Sequence, residues 1–264
     1  MGRISAFKAF VKFELKTAFR QPSLELLLSL LLAVAGIGAH PGLLRGWAMD
    51  LAPGTHTGTP SEVYEIIMKY KVMNFARGAH YCYNMLLFLI PMVTAFTIAG
   101  PLERCSLATY LSYPISRRAV LLMRTVFPVT VLSAGSIVCS TILVEWLLPG
   151  LPNLAACLLV FGVLFLVTMF FYLINSLVAI LSRRISVSIV FGVFLGLMIL
   201  QLVPTVEDSL ASFLDPFILV LPVLAGAENG TVFFDIGIRM AIYAGISILL
   251  LVIQLMIFNR IEVQ

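Results

Sequence analysis

The sequence predicts an all-helical integral membrane protein with six transmembrane spans, and three observations support this fold class. Of the 264 residues, 61% are hydrophobic and 11% are charged, whereas a soluble domain carries about 25% charged residues. Apolar runs of about 20 residues recur along the chain, and each is long enough to cross a bilayer as a helix. The regular alternation of a transmembrane β-barrel is absent, so helices must satisfy the backbone polar groups.

The chain is predicted to form one transmembrane domain, residues 1–264, with no cleavable signal peptide. In order, its predicted segments are an interfacial helix 1–22, span 24–44, an outer loop 45–80 with an amphipathic helix, span 81–98, a short cytoplasmic helix 102–116, spans 119–148, 154–181 and 187–203, an outer loop 204–235 with a re-entrant segment, and span 236–258.

The first segment carries a basic stripe at regular four-residue spacing, formed by Lys8, Lys12, Lys16 and Arg20. Phe7, Phe10 and Phe19 lie among these residues. Lysines beside aromatic residues are typical of a helix that lies in the membrane interface and contacts lipid phosphates. A generic positive anchor for topology is the simpler alternative, but it does not explain the regular spacing.

The distribution of lysine and arginine predicts the orientation of the chain. With the amino terminus inside, twelve of the 17 basic residues lie on the inner side and five on the outer side. Both termini are therefore expected in the cytoplasm, in a multi-pass protein of the cell membrane. The pI near 9.0 is explained by basic side chains against anionic lipid, and nucleic acid is not an expected partner.

The first outer loop, 45–80, is the longest polar stretch. Thr59 to Glu62 reads as a capping box with proline at the first helical position. Apolar residues follow at helical spacing from Val63 to Met73. The pattern predicts either a separate amphipathic helix on the outer surface or an outward extension of the second span.

The second outer loop, 204–235, contains an apolar stretch, 215–226, that prolines interrupt and that is too short to span a membrane. Such a stretch suits a re-entrant hairpin, which needs protein or a water-filled cavity around its irregular backbone. A plain outer helix covering the bundle is an equal alternative. The residues of the candidate outer gate are Asp215, Pro216, Phe217 and Pro222.

Segment 102–116 has an acidic start, a short amphipathic stretch and a basic exit. At helical spacing, one side presents Leu107, Tyr110, Leu111 and Pro114. This pattern predicts a short helix that lies along the inner surface and docks into another protein, although a simple re-entry turn is the plainer alternative. The tight turn at Arg183 and Arg184 is either a second, smaller contact or a topology signal.

Several kinds of chemistry are missing from the sequence. There is no GxxxxGK[ST] motif, so the chain has no P-loop to bind nucleotide phosphates, and no HExxH or GxSxG motif supports hydrolysis. No ionisable residue falls at the middle of a predicted span, where ion-coupled transporters need one. We therefore expect that this chain is not an enzyme and that the energy for its activity comes from elsewhere.

A metal site has weak support. The three histidines, His40, His56 and His80, all lie on or beside the first outer loop. Imidazole suits copper or zinc, but the irregular spacing argues against a site, and we predict no bound metal. Asn229 begins a formal glycosylation sequence on an outer loop, and its use depends on the host.

The arrangement as a whole resembles the permeases of type 2 ABC exporters. The resemblance covers nearly the whole chain, and its most specific part is the stretch from Glu103 to Arg117, which ends in Pro-Ile-Ser-Arg. The family pattern has Gly-Thr where this chain carries Cys105 and Ser106.

The resemblance implies that 102–116 is a coupling helix that binds a separate ATP-binding subunit. ATP and magnesium would be bound by that subunit, present in two copies, and this chain would bind no cofactor. A second permease chain, identical or related, would complete the pathway in the membrane lipid. The implied contacts with the ATPase are Glu103, Arg104, Leu107, Tyr110, Leu111, Pro114, Arg117, Arg183 and Arg184. Apolar walls would suit a hydrophobic or amphiphilic cargo.

Three rivals stay open at this point. The first is a secondary transporter without an ATPase partner. The second is an intramembrane enzyme that uses a metal held by the outer histidines. The third, within the same family, is a membrane subunit that serves metal or cofactor assembly outside the cell.

Overall fold

The computed structural model describes residues 12, 27–37, 60–104, 116–147, 154–205, 211, 213–224 and 230–260. Within these ranges the structure is helical, with no strand. Its helices are α1 Leu27–Ile37, α2 Pro60–Thr94, the π-helix Ala95–Ala99, α3 Gly100–Glu103, α4 Arg117–Leu147, α5 Leu154–Ser182, α6 Ile185–Leu202, α7 Phe217–Leu224 and α8 Gly230–Arg260.

Five of the described segments are long and apolar enough to cross a membrane. They are Lys71–Glu103, Arg117–Ile142, Leu154–Ser182, Ile185–Leu202 and Val232–Arg260. Helix α1 is also apolar but shorter than a span, and the rest of the predicted span 24–44 lies outside the described residues. The predicted class, an all-helical chain with several candidate membrane spans, is therefore confirmed, whereas the sixth span stays a prediction.

Helix α2 is one continuous element from Pro60 to Thr94. The amphipathic stretch of the long loop and the span that follows it therefore belong to the same helix. Lys71 and Asn74, two polar residues of that stretch, are almost completely buried. Beyond Thr94 the chain passes through one π-helical turn into the four-residue helix α3.

Burial differs strongly among the spans. In the most apolar window of α2, 56% of the residues are buried, compared with 22% in α6 and in α8. Helix α2 packs against α4, α5, α6 and α7. The central position of α2 explains why its polar and titratable groups meet groups of other helices. The exposed faces of α6 and α8 are apolar, as lipid-facing surfaces are, with examples at Val190, Phe194, Ile248 and Leu249.

A stripe of small residues brings α6 unusually close to α2. Ser188, Gly192 and Gly196 recur every four residues on the buried side of α6. A Cβ on Gly192 would lie 2.3 Å from the Cγ of Pro91, so only glycine fits there. A Cβ on Gly196 would lie 3.1 Å from the carbonyl oxygen of Leu87. Close contact of this kind strengthens van der Waals packing between membrane helices.

Candidate functional site

The functional residues that the sequence predicts lie at opposite ends of the bundle. We call one end the arginine end. There α3 and α5 finish and α4 and α6 begin, and it carries Arg104, Arg117, Arg118, Arg183 and Arg184. We call the other the histidine end, where α2 meets the segment 213–224; its polar residues are His80, Tyr83, Asp215 and Tyr243.

At the arginine end, Glu103 joins two parts of the chain that are distant in sequence. Its Oε2 accepts a hydrogen bond of 2.9 Å from the backbone N–H of Ile185, the first residue of α6. The side chain of Arg184, which precedes α6, makes no capping hydrogen bond. Glu103 therefore caps α6 from another helix, and its negative charge lies at the positive end of the helix dipole.

The turn that Glu103 contacts is short and basic. Only Arg183 and Arg184 separate α5 from α6, and both side chains are exposed. Arg183 has a φ of 52°, which lets the chain reverse within two residues. Arg104 and Arg118 are exposed at the same end of the bundle. The carboxylate of Glu103 thus lies at an end of the bundle that carries several exposed arginines.

Part of the predicted ATPase contact cannot be located. Glu103, Arg104, Arg117, Arg183 and Arg184 are described, and the structure brings the Glu103 carboxylate to the turn that carries Arg183 and Arg184. The remaining contact residues, Leu107, Tyr110, Leu111 and Pro114, lie outside the described residues. Of the interfacial stripe, Lys12 is exposed and helical, while Lys8, Lys16 and Arg20 also lie outside the described part.

A polar junction lies within the bundle near the arginine end. Nη1 of Arg124, in α4, donates a hydrogen bond of 2.8 Å to the carbonyl oxygen of Thr97, in the π-helix. The hydroxyl of Tyr172, in α5, donates one of 2.6 Å to the carbonyl of Arg124. The hydroxyls of Tyr172 and Thr97 are 2.8 Å apart. These bonds join three helices in a closed ring.

At the histidine end, a partly buried acid–base pair holds the segment that follows α6. Nε2 of His80 lies 2.6 Å from Oδ2 of Asp215. The other carboxylate oxygen of Asp215 accepts a 3.0 Å hydrogen bond from the N–H of Phe217, at the start of α7. Asp215 is only 6% exposed. Both of its oxygens therefore have partners, as a buried carboxylate requires.

Two tyrosines bind the backbone of the same segment. The Tyr83 hydroxyl donates to the carbonyl of Leu214 at 2.5 Å. The Tyr243 hydroxyl, from α8, donates to the carbonyl of Phe213. The ring of Phe217 stacks on His80, with ring centroids 5.2 Å apart. The segment is thus held by α2 on one side and by α8 on the other.

The predicted gate residues occupy different environments within this region. Asp215, Pro216 and Phe217 are buried, whereas Pro222 lies inside α7 and is exposed. Three of the four residues therefore belong to the buried anchor, and Pro222 does not. The eight residues of α7 are too few to cross the bilayer.

The histidines do not form a described metal site. His80 uses Nε2 to contact Asp215, while His40 and His56 lie outside the described residues. Among the residues that the structure describes, no group of three or more His, Cys, Asp or Glu side chains is close enough to hold a metal ion. What His80 does in the described structure is to anchor the segment after α6.

Sequence reasoning missed five residues of these two regions: Tyr83, Thr97, Arg124, Tyr172 and Tyr243. Arg124 was assigned to the inner topology charges, and the tyrosines were not assigned at all. The only local signal for this role was the proline four residues after Thr97 and another four residues after Arg124.

No protein-family model matches this chain, and no curated protein is significantly similar to it.

Proposed function

We propose that this chain is the transmembrane permease subunit of an ATP-driven exporter, similar to the type 2 ABC permeases. The arginine end would face the cytoplasm and receive a separate ATP-binding subunit. Two permease chains would then enclose a pathway for a hydrophobic or amphiphilic cargo. The sequence pattern from Glu103 to Arg117 motivates this proposal, together with the five candidate spans.

The observation that supports the proposal best is the bond between Glu103 and Ile185. Glu103 lies near the start of the predicted docking helix, 102–116, and its carboxylate is bound to the first residue of α6. A displacement of that segment toward or away from the bundle would therefore pull on the start of α6. An ATPase that moves the loop would need such a connection to change the membrane helices.

The shape and charge of the arginine end also favour a protein partner. Exposed arginines from the start of α4 and from the turn between α5 and α6 lie around the ends of the predicted docking helix. A basic rim speeds the approach of an acidic partner, while buried apolar and aromatic contacts provide most of the binding energy. The predicted contacts Leu107, Tyr110 and Leu111 would provide that apolar centre.

The histidine end would form the outer gate under this proposal. Its segment 213–224 is fixed by side chains of α2 and α8, so any outward opening between these helices must break or carry along the bonds to Asp215, Tyr83 and Tyr243. Under this proposal, these contacts would hold the gate closed. The identity of the cargo is a prediction from apolar walls alone.

The test is co-purification with an ATP-binding subunit that carries GxxxxGK[ST] and is encoded beside this chain. Wild type is compared in mild detergent with Glu103→Ala plus Tyr110→Ala, and we expect the double variant to lose the subunit. Glu103→Gln is the matched control for structure, because its amide oxygen can still accept the N–H of Ile185 while the charge is removed.

Two results would distinguish the roles of Glu103. Loss of the ATPase in both Glu103→Ala and Glu103→Gln assigns the carboxylate to the partner contact. Loss in Glu103→Ala alone assigns it to the cap of α6. If the wild-type chain recovers no ATP-binding subunit even after cross-linking in native membranes, the proposal is wrong.

A second candidate, a secondary transporter without an ATPase, has one specific observation in its favour. His80 lies within the candidate span Lys71–Glu103, and its partner Asp215 is a buried acidic residue. Such pairs carry protons in transporters driven by ion gradients. His80 lies closer to the middle of the span Lys71–Glu103 than to its end, so its position is compatible with this role. We rank this candidate second because the sequence pattern from Glu103 to Arg117 favours an ATPase partner.

Proteoliposomes that contain only the purified chain separate the two candidates. A secondary transporter would move protons or cargo under an imposed pH gradient without any ATPase, and His80→Gln would abolish this movement. A permease that depends on an ATPase would show neither flux, with or without the substitution.

A further inference from the structure

Four prolines inside the described helices, Pro91, Pro101, Pro128 and Pro222, each remove a backbone donor. In an α-helix each carbonyl accepts the N–H four residues later, and proline has no N–H to donate, so Pro91, Pro128 and Pro222 open the carbonyls of Leu87, Arg124 and Ile218. Pro101 follows the π-helix, where the N–H of Gly100 bonds to Ala95 five residues back, so it opens a carbonyl at Phe96 or Thr97. Inside a bilayer water cannot replace these donors, so neighbouring helices must compensate.

Two carbonyls at these positions, those of Thr97 and Arg124, receive a side-chain donor from another helix. The guanidinium of Arg124 donates to the Thr97 carbonyl at 2.8 Å, and the hydroxyl of Tyr172 donates to the Arg124 carbonyl at 2.6 Å. The carbonyl of Leu87 faces Gly196. Both carbonyls that accept these bonds lie four residues before a proline.

We infer that Arg124 and Tyr172 serve as replacement donors for the carbonyls that Pro101 and Pro128 open, and that they make one joint between α2, α4 and α5. Arg124 is central to the joint because it takes part in both bonds. Its side chain donates to the Thr97 carbonyl, and its own carbonyl accepts from Tyr172. The hydroxyls of Thr97 and Tyr172 lie 2.8 Å apart. Because the Tyr172 proton bonds to the Arg124 carbonyl, only Thr97 can donate between them, and its proton is shared with the Val93 carbonyl at 2.7 Å.

This assignment gives a reason for an arginine at position 124, within the bundle. Arg124 lies seven residues into α4, and its side chain points to the π-helix of α2. A topology charge would need only to reach the membrane surface, where a lysine would serve equally well. A guanidinium offers five N–H donors in a fixed plane, so it can bind a carbonyl on a neighbouring helix and still make other contacts.

The joint also has a defined position relative to the undescribed segment 105–115. Thr97, in the π-helix, precedes that segment, and Arg124, in α4, follows it. The joint therefore connects the helices on both sides of the segment. If the proposed function holds, a push on the segment is passed to α5 through Tyr172. The joint itself does not depend on the proposed function, because its test measures stability alone.

The test is a set of matched and crossed rescues, measured as the apparent Tm of the purified chain in detergent. Arg124→Met removes the donor to Thr97, and we expect the Tm to fall by about 4 °C. Adding Pro101→Ala supplies a new N–H at the right position and should restore most of that fall. In the same way, Pro128→Ala should restore the loss caused by Tyr172→Phe.

The crossed combinations are the controls. Pro128→Ala should raise the Tm of Arg124→Met by no more than it raises the Tm of the wild type. Likewise, Pro101→Ala should raise the Tm of Tyr172→Phe by no more than it raises that of the wild type. Equal rescue by matched and crossed alanines would overturn the inference, because it would show only the general benefit of removing a proline from a helix.

The test also works if Arg124→Met does not fold. In that case the yield of monodisperse protein replaces the Tm. Recovery with Pro101→Ala but not with Pro128→Ala supports the joint, and recovery with neither or with both contradicts it.

Discussion

The two ends of the bundle are held in opposite ways. At the histidine end, the anchoring bonds are partly buried, and three side chains from two helices bind one short segment. At the arginine end, one exposed carboxylate bonds to the first backbone N–H of α6, next to the exposed Arg183 and Arg184. Water competes more strongly for an exposed bond than for a partly buried one, so the bonds at the histidine end contribute more to stability. The arginine end is therefore the end at which contacts can be exchanged at low cost.

For this comparison to hold, both ends must belong to one intact bundle. Gly192→Ala tests that packing, and we expect it to lower the unfolding free energy more than any other single substitution below. The new Cβ would lie 2.2 Å from Oδ1 of Asn175 and 2.3 Å from the ring of Pro91. We expect α6 to separate from α2 and the unfolding free energy in detergent to fall by about 3 kcal/mol.

The matched control is Gly245→Ala, since a Cβ there meets no atom within 4 Å. It should leave the unfolding free energy unchanged or raise it slightly, because alanine favours a helix. An equal loss in both variants would show that α6 does not pack closely on α2.

The buried character of the histidine end is tested by Asp215→Ala. The change removes the partner of His80 and the acceptor of the Phe217 N–H. We expect a loss of about 2 kcal/mol in the unfolding free energy, and faster proteolysis within 213–224. Asp215→Asn keeps an oxygen acceptor and should lose clearly less, whereas equal losses would mean that the carboxylate contacts do not matter.

Tyr83→Phe removes one hydroxyl from the same end and should cost about 1 kcal/mol, because the Leu214 carbonyl loses its buried donor. Tyr81→Phe is the control on the same helix, since Tyr81 is 42% exposed. Thermal unfolding of both variants compares them directly. If Tyr81→Phe lowers the stability as much as Tyr83→Phe does, burial does not determine how much these hydroxyls contribute to stability.

Glu103→Ala should have the smallest effect on stability, about 0.5 kcal/mol, because it removes only an exposed helix cap. Glu103→Gln should have no measurable effect, since it keeps the acceptor. Denaturant unfolding measures both variants. If Glu103→Ala lowered the unfolding free energy as much as Asp215→Ala does, the two ends would not differ in their contribution to stability.

Composition and apolar runs are sufficient to predict the class of this fold. Segments such as 154–182 contain no charged residue, and in a bilayer such a segment has no stable alternative to a helix. The absence of charge also excludes a soluble domain. These features depend on each segment alone, and therefore one sequence is enough to identify them.

The contacts between helices could not be predicted in the same way. Glu103 and Ile185 are 82 residues apart, and His80 and Asp215 are 135 residues apart. Their pairing depends on how the helices pack, and apolar periodicity does not specify partners. The spacing of Thr97 to Pro101 identifies a carbonyl that lacks its donor, but it does not identify Arg124 as the group that replaces it.

The two-residue turn between α5 and α6 also determines how this part of the chain is made. Asn175 of α5 buries its amide against Gly192 of α6, and the two helices have 29 and 18 residues. During synthesis α5 is complete before α6 exists, so for that interval its amide has no cover from the next helix. We therefore expect the two helices to enter the membrane as one hairpin, in which the packing of α5 is completed only when α6 has been made.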